Sequence, residues 1–233
     1  MNKEKETHIN TYLKGVPLFS NLNDEQIKLL SGTGTVTSFL KDNVIVHQNQ
    51  PGETFYIVIS GRVKITLLNK DGREIVLSIL KKGEFFGELA LLDNERRSAN
   101  VIAMDDASLF LITRTQFYQL IETYPHLLRK ILKEICTRLR RADEKIGSLA
   151  FLDVYGRTLR TLQHLALGQG IKTKNGIEVS SAPTHQELSC IVGTTRETIS
   201  RVIAMLKKNR ILVAYKGSKL ILREYAVRLL QKK

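Results

Sequence analysis

The sequence has few cysteines and no long apolar run. Its two cysteines, Cys136 and Cys190, lie far apart, with no CxxC spacing and no nearby histidine pair. Neither a zinc site nor a disulfide framework is therefore predicted. The N-terminal segment MNKEKETHIN is charged, and no uninterrupted apolar stretch approaches the roughly 18 residues that suggest a membrane span. We expect an untargeted protein of the reducing cytoplasm, with no membrane partner.

The motifs of common enzyme classes are also absent from the sequence. It contains no GxSxG, HExxH or P-loop motif, and its five histidines are scattered. No two of its carboxylates stand at a spacing that indicates a catalytic pair. We therefore expect that the chain is not an enzyme.

Acidic residues are scarce in the last third of the chain. The 233 residues carry a formal net charge of +13, of which +11 falls from Val154 onward and only +2 in the first 153 residues. Such a basic C-terminal domain predicts a polyanionic partner. Nucleic acid fits better than a membrane, because no basic amphipathic helix with bulky aromatic residues is present. Solubility alone is the alternative that charge leaves open.

Short segments rich in β-branched and aromatic residues run from about Val36 to Arg114. Segments such as TFYIVISG, RVKITLLN and EIVLSIL are separated by turn residues, among them Pro51-Gly52. This spacing predicts a β-sandwich or barrel. A helical segment, NDEQIKLLSGTG, precedes it, with Asn23 as the expected N-cap.

A coiled-coil pattern follows Pro125. Seven apolar residues recur at alternating steps of four and three, flanked by charged residues. This is the a/d spacing of a coiled coil, so it predicts one long helix that pairs with a second copy in a homodimer. A helix packed on its own domain is the alternative. The seven residues are Leu128, Leu132, Ile135, Leu139, Ala142, Ile146 and Leu149.

The C-terminal domain has the segment order of a winged helix-turn-helix. The helical segment RTLRTLQHLALGQG closes with glycines, and two further helical segments follow, THQELSCIVG and TRETISRVIAMLKKNR. The segment ILVAYKGSKLILRE then predicts two short strands around Gly217-Ser218. Helix, turn, helix and hairpin together describe this DNA-binding motif.

The second helix of this motif has one apolar and one polar face. Four residues at i, i+3, i+4 and i+7 predict the buried face: Ile199, Val202, Ile203 and Leu206. The exposed face lies at the start of the helix, where a recognition helix meets base edges. It holds Arg196, Glu197, Ser200 and Arg201.

These exposed side chains suit base reading. Arginine is the bidentate partner of guanine, and the carboxylate of Glu197 can accept from the amino group of cytosine or adenine while repelling phosphate. Thr195 and Thr198 would hold phosphates and fix the register. The alternative is a Glu197–Arg201 ion pair worth about 0.2–0.5 kcal/mol, which is compatible with base reading.

The segment GELALLDNERRS has the composition of an anion cradle. Gly87 permits close backbone approach, a short helix is expected near Glu88, and Arg97 with Ser98 offers a bidentate charge and a hydroxyl. The alternative is a structural Arg97–Glu88 ion pair across a turn.

Nearly the whole chain resembles the cyclic AMP receptor protein and FNR family of bacterial transcription regulators. The segments that carry the resemblance are FFGELALLDNERRSANV, EKIGSLAFLDVYGR and TTRETISR. It implies an α+β fold, with a cyclic-nucleotide-binding-like β-roll (jelly roll), a long dimerisation helix and a winged helix-turn-helix. We expect the sensor domain at 1–125, the dimerisation helix and hinge at 126–153, and the DNA-binding domain at 154–233.

The resemblance also implies an effector site. Arg97 would pair with a cyclic phosphate, Glu88 would accept the ribose 2′-hydroxyl, and Ser98 with nearby backbone amides would complete the cradle. The expected effector-binding residues are Gly87, Glu88, Leu89, Ala90, Arg97, Ser98 and Asp143. No iron–sulfur cluster of the FNR type is expected, because no cysteine precedes Cys136.

The dimer helix differs from the family pattern at the two positions that would face the base of the nucleotide. Where the cyclic AMP-binding pattern has a Thr-Ser pair facing the adenine, this chain has Ala142 and Asp143. The Asp143 carboxylate can accept two hydrogen bonds from guanine or one from adenine. Cyclic GMP and cyclic di-GMP therefore stand beside cyclic AMP as expected effectors. The alternative is that Asp143 is solvated or pairs with Arg140 or Arg141.

The resemblance further implies how DNA is read. The residues matching Arg196, Glu197 and Arg201 read a TGTGA-type half-site in the family, so two subunits would read a palindrome in double-stranded DNA. RNA polymerase is a further expected partner. The expected DNA-binding residues are Thr184, His185, Gln186, Thr195, Arg196, Glu197, Thr198, Ser200, Arg201 and Lys216.

These observations together predict a homodimeric, sequence-specific DNA-binding transcription regulator. A small effector in the β-roll would control it allosterically. The alternative is an effector-independent regulator with an unoccupied β-roll.

Overall fold

The computed structural model of the chain describes residues 3–228, with side chains from Ile9 onward. Its contacts divide the chain into two structural units. The first runs to Arg140 apart from Arg73–Ile75, and the second contains Arg73–Ile75 and the chain from Arg141 onward. A long helix, α5 (Pro125–Phe151), begins in the first unit and ends in the second.

Two four-stranded sheets dominate the chain before α5. Their strand orders are β1-β8-β3-β6 and β2-β7-β4-β5. The helices are α1 Lys3–Lys14, a 3-10 turn Pro17–Phe19, α2 Asp24–Thr33, α3 Leu89–Leu92 and α4 Arg114–Thr123. The strands are β1 Thr35–Phe39, β2 Val44–Val46, β3 Thr54–Ser60, β4 Arg62–Leu68, β5 Glu74–Lys81, β6 Phe85–Phe86, β7 Asn100–Ala103 and β8 Ala107–Thr113.

The β-rich architecture predicted from the sequence is confirmed. Central strands β3 and β8 pair antiparallel, and their apolar side chains, such as Phe55, Ile57 and Phe110, are fully buried. The N-cap prediction is also confirmed. The Asn23 side chain accepts from the amide of Gln26 at 2.9 Å, and the Gln26 side chain accepts from the amide of Asn23 at 2.9 Å, a reciprocal capping box.

Helix α5 has two apolar faces. Leu127 and Ile131, which lie outside the predicted seam, are buried in the core of the first unit. Leu132, Leu139 and Ile146 belong to the seam, and their exposed fractions are 49%, 61% and 63%. The helix therefore packs on its own domain with Leu127, Ile131 and the seam residue Ile135, while Leu132, Leu139 and Ile146 remain at the surface.

The second unit contains a three-helix motif and one four-stranded sheet of order β11-β12-β10-β9. Its elements are α6 Val154–Gln169, β9 Ile171–Thr173, β10 Gly176–Val179, α7 His185–Val192, α8 Arg196–Lys208, β11 Leu212–Lys216, β12 Lys219–Leu222 and α9 Glu224–Arg228. The predicted winged helix-turn-helix is confirmed. The β9–β10 hairpin was not predicted, because its strands are very short, and it extends the wing sheet through the β10–β12 pair.

The turn between α7 and α8 depends on a left-handed glycine. Gly193 has φ 76°, and the amides of Gly193 and Thr194 both donate to the carbonyl of Ser189 at 2.9 and 3.0 Å. This is the usual way to end a helix sharply, and glycine adopts it without a Cβ clash. The predicted buried face of α8 is confirmed. Among the described helices, none combines the length and apolar character needed to cross a membrane.

Candidate functional site

Two glycines allow the backbone to approach Arg97 closely. A Cβ on Gly87, which has φ 86°, would lie 2.7 Å from Arg97 Nη1 and 2.8 Å from the carbonyl oxygen of Thr54. A Cβ on Gly52 would lie 2.4 Å from the Cβ of Ala90 and 2.9 Å from Arg97 Nε. Both positions therefore exclude a larger side chain. In the sequence, Gly87 belongs to a recognisable motif, whereas Gly52 is recognisable only as part of a Pro-Gly turn.

The Arg97 guanidinium lies buried between two main-chain segments. Its Nη1 donates to the Gly87 carbonyl at 3.0 Å, and its Nη2 donates to the Thr54 carbonyl at 2.7 Å. Burial lowers the pKa of Arg97 from its usual value. A guanidinium has five N–H donors, so three remain for another acceptor. Arg97 is thus a fixed cation with donors to spare, which suits an anion.

Glu88 lies beside this cation, and one of its oxygens has no partner. The side chain is 2% exposed, and its Oε1 accepts from Arg138 Nη1 at 3.0 Å. Within the described chain, Oε2 is buried without a hydrogen-bond donor. Burial raises the pKa of Glu88, although the charge of Arg138 opposes this. A buried carboxylate oxygen without a donor is costly, so it favours a ligand that supplies a hydroxyl.

Arg138 is a site residue that no sequence motif indicated. Besides Glu88 it binds the Phe85 carbonyl at 2.6 Å and Glu134 Oε1 at 3.2 Å. The alternative of an Arg97–Glu88 ion pair is wrong, because the partner of Glu88 is Arg138 of α5. The cradle is thereby tied directly to the helix that carries the predicted dimer seam.

The structure brings six of the seven predicted effector residues together in the first unit. Ala90 is buried, Leu89 is 41% exposed at the start of α3, and Ser98 is exposed beside Arg97. Asp143 is exposed and belongs to the second unit. The observed contacts of the cradle connect Gly87, Glu88, Ala90 and Arg97, whereas effector binding by Leu89, Ser98 and Asp143 stays a prediction.

In the second unit, the polar face predicted for α8 lies at the surface. Its four members, Arg196, Glu197, Ser200 and Arg201, are all exposed. Hydrogen bonds from its own backbone amide and from Thr195 lower the pKa of Glu197. Glu197 therefore remains a carboxylate and keeps the acceptor that base reading requires.

The predicted phosphate-binding hydroxyls organise the start of α8. Thr195 is the N-cap, and its Oγ1 lies 3.0 Å from Thr198 Oγ1 and accepts from the Thr198 amide at 3.3 Å. Arg201 Nη2 donates to Thr198 Oγ1 at 3.3 Å. These contacts orient Arg201 through Thr198. The alternative prediction from the sequence was an ion pair between Arg201 and Glu197.

Helix α7, helix α8 and the wing meet at His185. Its Nδ1 lies 3.0 Å from Ser200 Oγ, and its ring centroid is 5.2 Å from that of Tyr215. Burial lowers the pKa of His185, as do the charges of Arg196 and Lys207. The lowered pKa disfavours protonation of His185, which joins the three elements.

The remaining predicted DNA contacts surround this junction. Thr184 caps α7 and accepts from the Glu187 amide at 3.2 Å. Gln186, in the first turn of α7, and Lys216, at the end of β11, are exposed. The candidate DNA-binding residues thus come from the starts of two helices and from the wing.

Two family models match the chain, one for each site. The cyclic nucleotide-binding domain matches residues 36–124, which contain the cradle. The Crp-like helix-turn-helix domain matches residues 156–227, which contain α7, α8 and the wing.

Similar proteins are known along most of the chain. The cAMP-activated global transcriptional regulator CRP of Salmonella typhimurium is 35% identical over 175 residues, which cover 74% of this chain and 82% of that protein. The cyclic AMP receptor protein of Thermus thermophilus is 33% identical over 194 residues, covering 83% and 87%. The solved structure of the c-di-GMP responsive regulator CLP of Xanthomonas campestris aligns with a TM-score of 0.75 at 28% identity, covering 86% of this chain and 99% of that chain.

Proposed function

The chain belongs to the CRP/FNR family of transcription regulators, and on that premise we propose that it is a homodimer that binds a palindromic DNA site under the control of a cyclic nucleotide. The family is one of regulators and not of enzymes. The observation that carries the proposal is the pairing of Glu88 with Arg138 beside Arg97. This ion pair supports the proposal because it connects the predicted effector cradle to α5, the helix that carries the predicted dimer seam.

The cradle fits a cyclic nucleotide in both charge and hydrogen bonding. The spare N–H donors of Arg97 can bind a phosphate in a bidentate manner. The Glu88 oxygen without a donor can accept a sugar hydroxyl. Ser98 and the amides at the start of α3 would complete the phosphate contacts.

The base of the nucleotide is a separate question. The similar proteins of Salmonella and Thermus are named for cyclic AMP, whereas the CLP regulator is described as c-di-GMP responsive. Asp143 is an exposed carboxylate on α5. Since guanine presents two adjacent donors to a carboxylate, cyclic GMP and cyclic di-GMP compete with cyclic AMP as the effector.

The proposed switch has two states. The exposed seam of α5 pairs with that of a second copy, and an effector held against Arg138 repacks the seam between Ala142 and Leu149. A hinge at 151–153 then turns the two winged helices until both fit successive major grooves. The effector must bind the DNA-competent state more tightly than the other state, because equal affinity would shift nothing.

Calorimetry and DNA binding together test this function. Each of cyclic AMP, cyclic GMP and cyclic di-GMP is titrated into the protein, and binding to a duplex with two TGTGA half-sites is followed by fluorescence anisotropy with and without it. We expect one nucleotide to bind and to tighten DNA binding. Unchanged DNA affinity with all three would favour the effector-independent alternative. If Asp143→Ala leaves cyclic AMP binding intact and no guanine nucleotide binds, the guanine hypothesis is wrong.

The Glu197→Ala variant tests base reading by α8. We expect it to lose discrimination at one base pair of each half-site, worth about 1–3 kcal/mol, because the carboxylate accepts from a single base. Affinity for unrelated DNA should not fall, because the carboxylate that is removed repels phosphate. Anisotropy competition with duplexes that carry single substitutions in the half-site measures both quantities.

The control for this variant is Glu224→Ala, which makes the same charge change on α9, where Glu224 pairs with Lys172 and Arg228. It should preserve the base preference. An equal change in affinity on every duplex with Glu197→Ala would show that Glu197 acts only through its charge.

A further inference from the structure

Arg114 connects the loop before β3 to helix α3, the two segments that flank the predicted effector cradle. It is the first residue of α4, and its backbone amide donates to the Glu53 carbonyl at 2.8 Å. Its side-chain Nε donates to Glu53 Oε2 at 2.7 Å. Its Nη2 donates to the carbonyls of Gly52 at 2.9 Å and Ala90 at 3.1 Å. One guanidinium thus joins the loop before β3 to helix α3.

Both segments that Arg114 joins also touch Arg97. Gly52 packs so closely that an added Cβ would lie 2.9 Å from Arg97 Nε, and Thr54, two residues later, accepts from Arg97 Nη2 at 2.7 Å. On the other side, Arg97 Nη1 donates to the carbonyl of Gly87, just before α3. A shift of either segment would therefore move the Arg97 guanidinium, which is expected to bind phosphate.

The hydrogen bonds of Arg114 to carbonyl oxygens contribute more to holding the two segments together than its ion pair does. The Glu53 side chain is 64% exposed, so water can replace its partner. Gly52 and Ala90 are buried, and their carbonyls would lose a charged donor. Helix α4 adds a second tie, because the Tyr118 hydroxyl donates to the Leu91 carbonyl of α3.

We propose that Arg114 is a positioning residue for effector binding. It holds the 52–54 loop and α3 at the separation at which Arg97 and the amides of α3 converge on one anion. The proposal rests on the proposed function, because it assumes an anionic effector in the cradle. Arg114 acts on the effector indirectly, through the carbonyl oxygens of Gly52 and Ala90 that accept from its Nη2.

The test compares Arg114→Met with Arg62→Met. Arg62 makes a bidentate pair with Asp105 at 2.6 and 2.9 Å, at the start of β4 in the other sheet. Two quantities are measured for the full chain: hydrogen exchange of the amides of Leu91, Leu92 and Asp93 without nucleotide, and calorimetric affinity for the nucleotide that the wild type binds. The three amides close α3 by donating to Glu88 and Leu89.

We expect Arg114→Met to speed exchange in α3 and to weaken nucleotide binding about tenfold, the effect of one lost charged hydrogen bond. Arg62→Met should change neither quantity. Wild-type exchange in α3 with Arg114→Met, or equal nucleotide affinities for the two variants, would overturn the proposal. If the wild type binds no nucleotide, the proposed function fails, and the exchange measurement alone decides the role of Arg114.

Arg114→Lys keeps the test valid if the methionine variant does not fold. A single ammonium nitrogen cannot occupy both the Nε and the Nη2 positions, so we expect exchange and affinity between those of the wild type and Arg114→Met. A lysine variant equal to the wild type in both measurements would contradict the need for the guanidinium.

Discussion

Replacing Leu139 with aspartate should abolish the proposed α5-mediated dimer and weaken binding to a palindromic DNA site by about 10²–10⁴-fold. Leu139 is 61% exposed on α5, in the same apolar series as Leu132 and Ile146. A carboxylate there would be desolvated between two helices without a partner, which disfavours pairing. Once the subunits separate, the second half-site is no longer bound at high effective concentration.

The folded subunit should tolerate this change, because Leu139 contributes little to its own core. Light scattering after size exclusion measures the mass, and anisotropy with full and half-site duplexes measures DNA binding. Leu29→Asp is the matched control, since Leu29 is 68% exposed on α2, outside the seam. We expect the control to remain dimeric. A dimeric Leu139→Asp variant would show that α5 is not the subunit interface.

Replacing Arg97 with methionine should weaken cyclic nucleotide binding by about 10²–10⁴-fold. The substitution removes the donors proposed for the phosphate, and two charge-assisted hydrogen bonds are worth about 1.5–3 kcal/mol each. The side chain is 6% exposed, so water cannot replace the missing donors easily. DNA binding without nucleotide should be retained, because the recognition helix lies in the other unit.

The neighbouring arginine provides the control for this variant. Arg96 is exposed and donates to the Asn49 carbonyl at 2.8 Å, so Arg96→Met removes the same charge one residue away. Calorimetry with each nucleotide compares the two variants, and thermal unfolding checks that both are folded. Equal affinities for the wild type and Arg97→Met would show that the phosphate does not bind at Arg97.

Local patterns in the sequence correctly predicted strands β3 and β4, helices α7 and α8, and the wing hairpin. The alternating residues and turn residues of TFYIVISG and RVKITLLN predicted strands that the structure shows as β3 and β4. The glycine-serine turn predicted the wing hairpin. The i, i+3, i+4 series in α8 predicted which face is buried. Each of these features depends on residues fewer than about ten positions apart, where periodicity reports the geometry of a helix or strand directly.

The β9–β10 hairpin shows where such patterns are insufficient. Its strands hold three and four residues, too few for a recognisable alternation. They form because β12 supplies a neighbouring edge, with Ile177 opposite Leu222. The hairpin therefore depends on a pairing partner that lies far along the chain.

The sequence by itself determined the order of the β-rich segment, the long helix and the winged helix-turn-helix, the buried face of α8, and the presence of Gly87 and Arg97 in one motif. Only the tertiary structure decided that Glu88 pairs with Arg138, 50 residues away, and that Arg114 binds the Gly52 carbonyl, 62 residues away. The physical reason is that long side chains bind whichever backbone or carboxylate group the fold brings near. Such pairings produce no periodic pattern in the sequence, because they follow from the packing of whole elements.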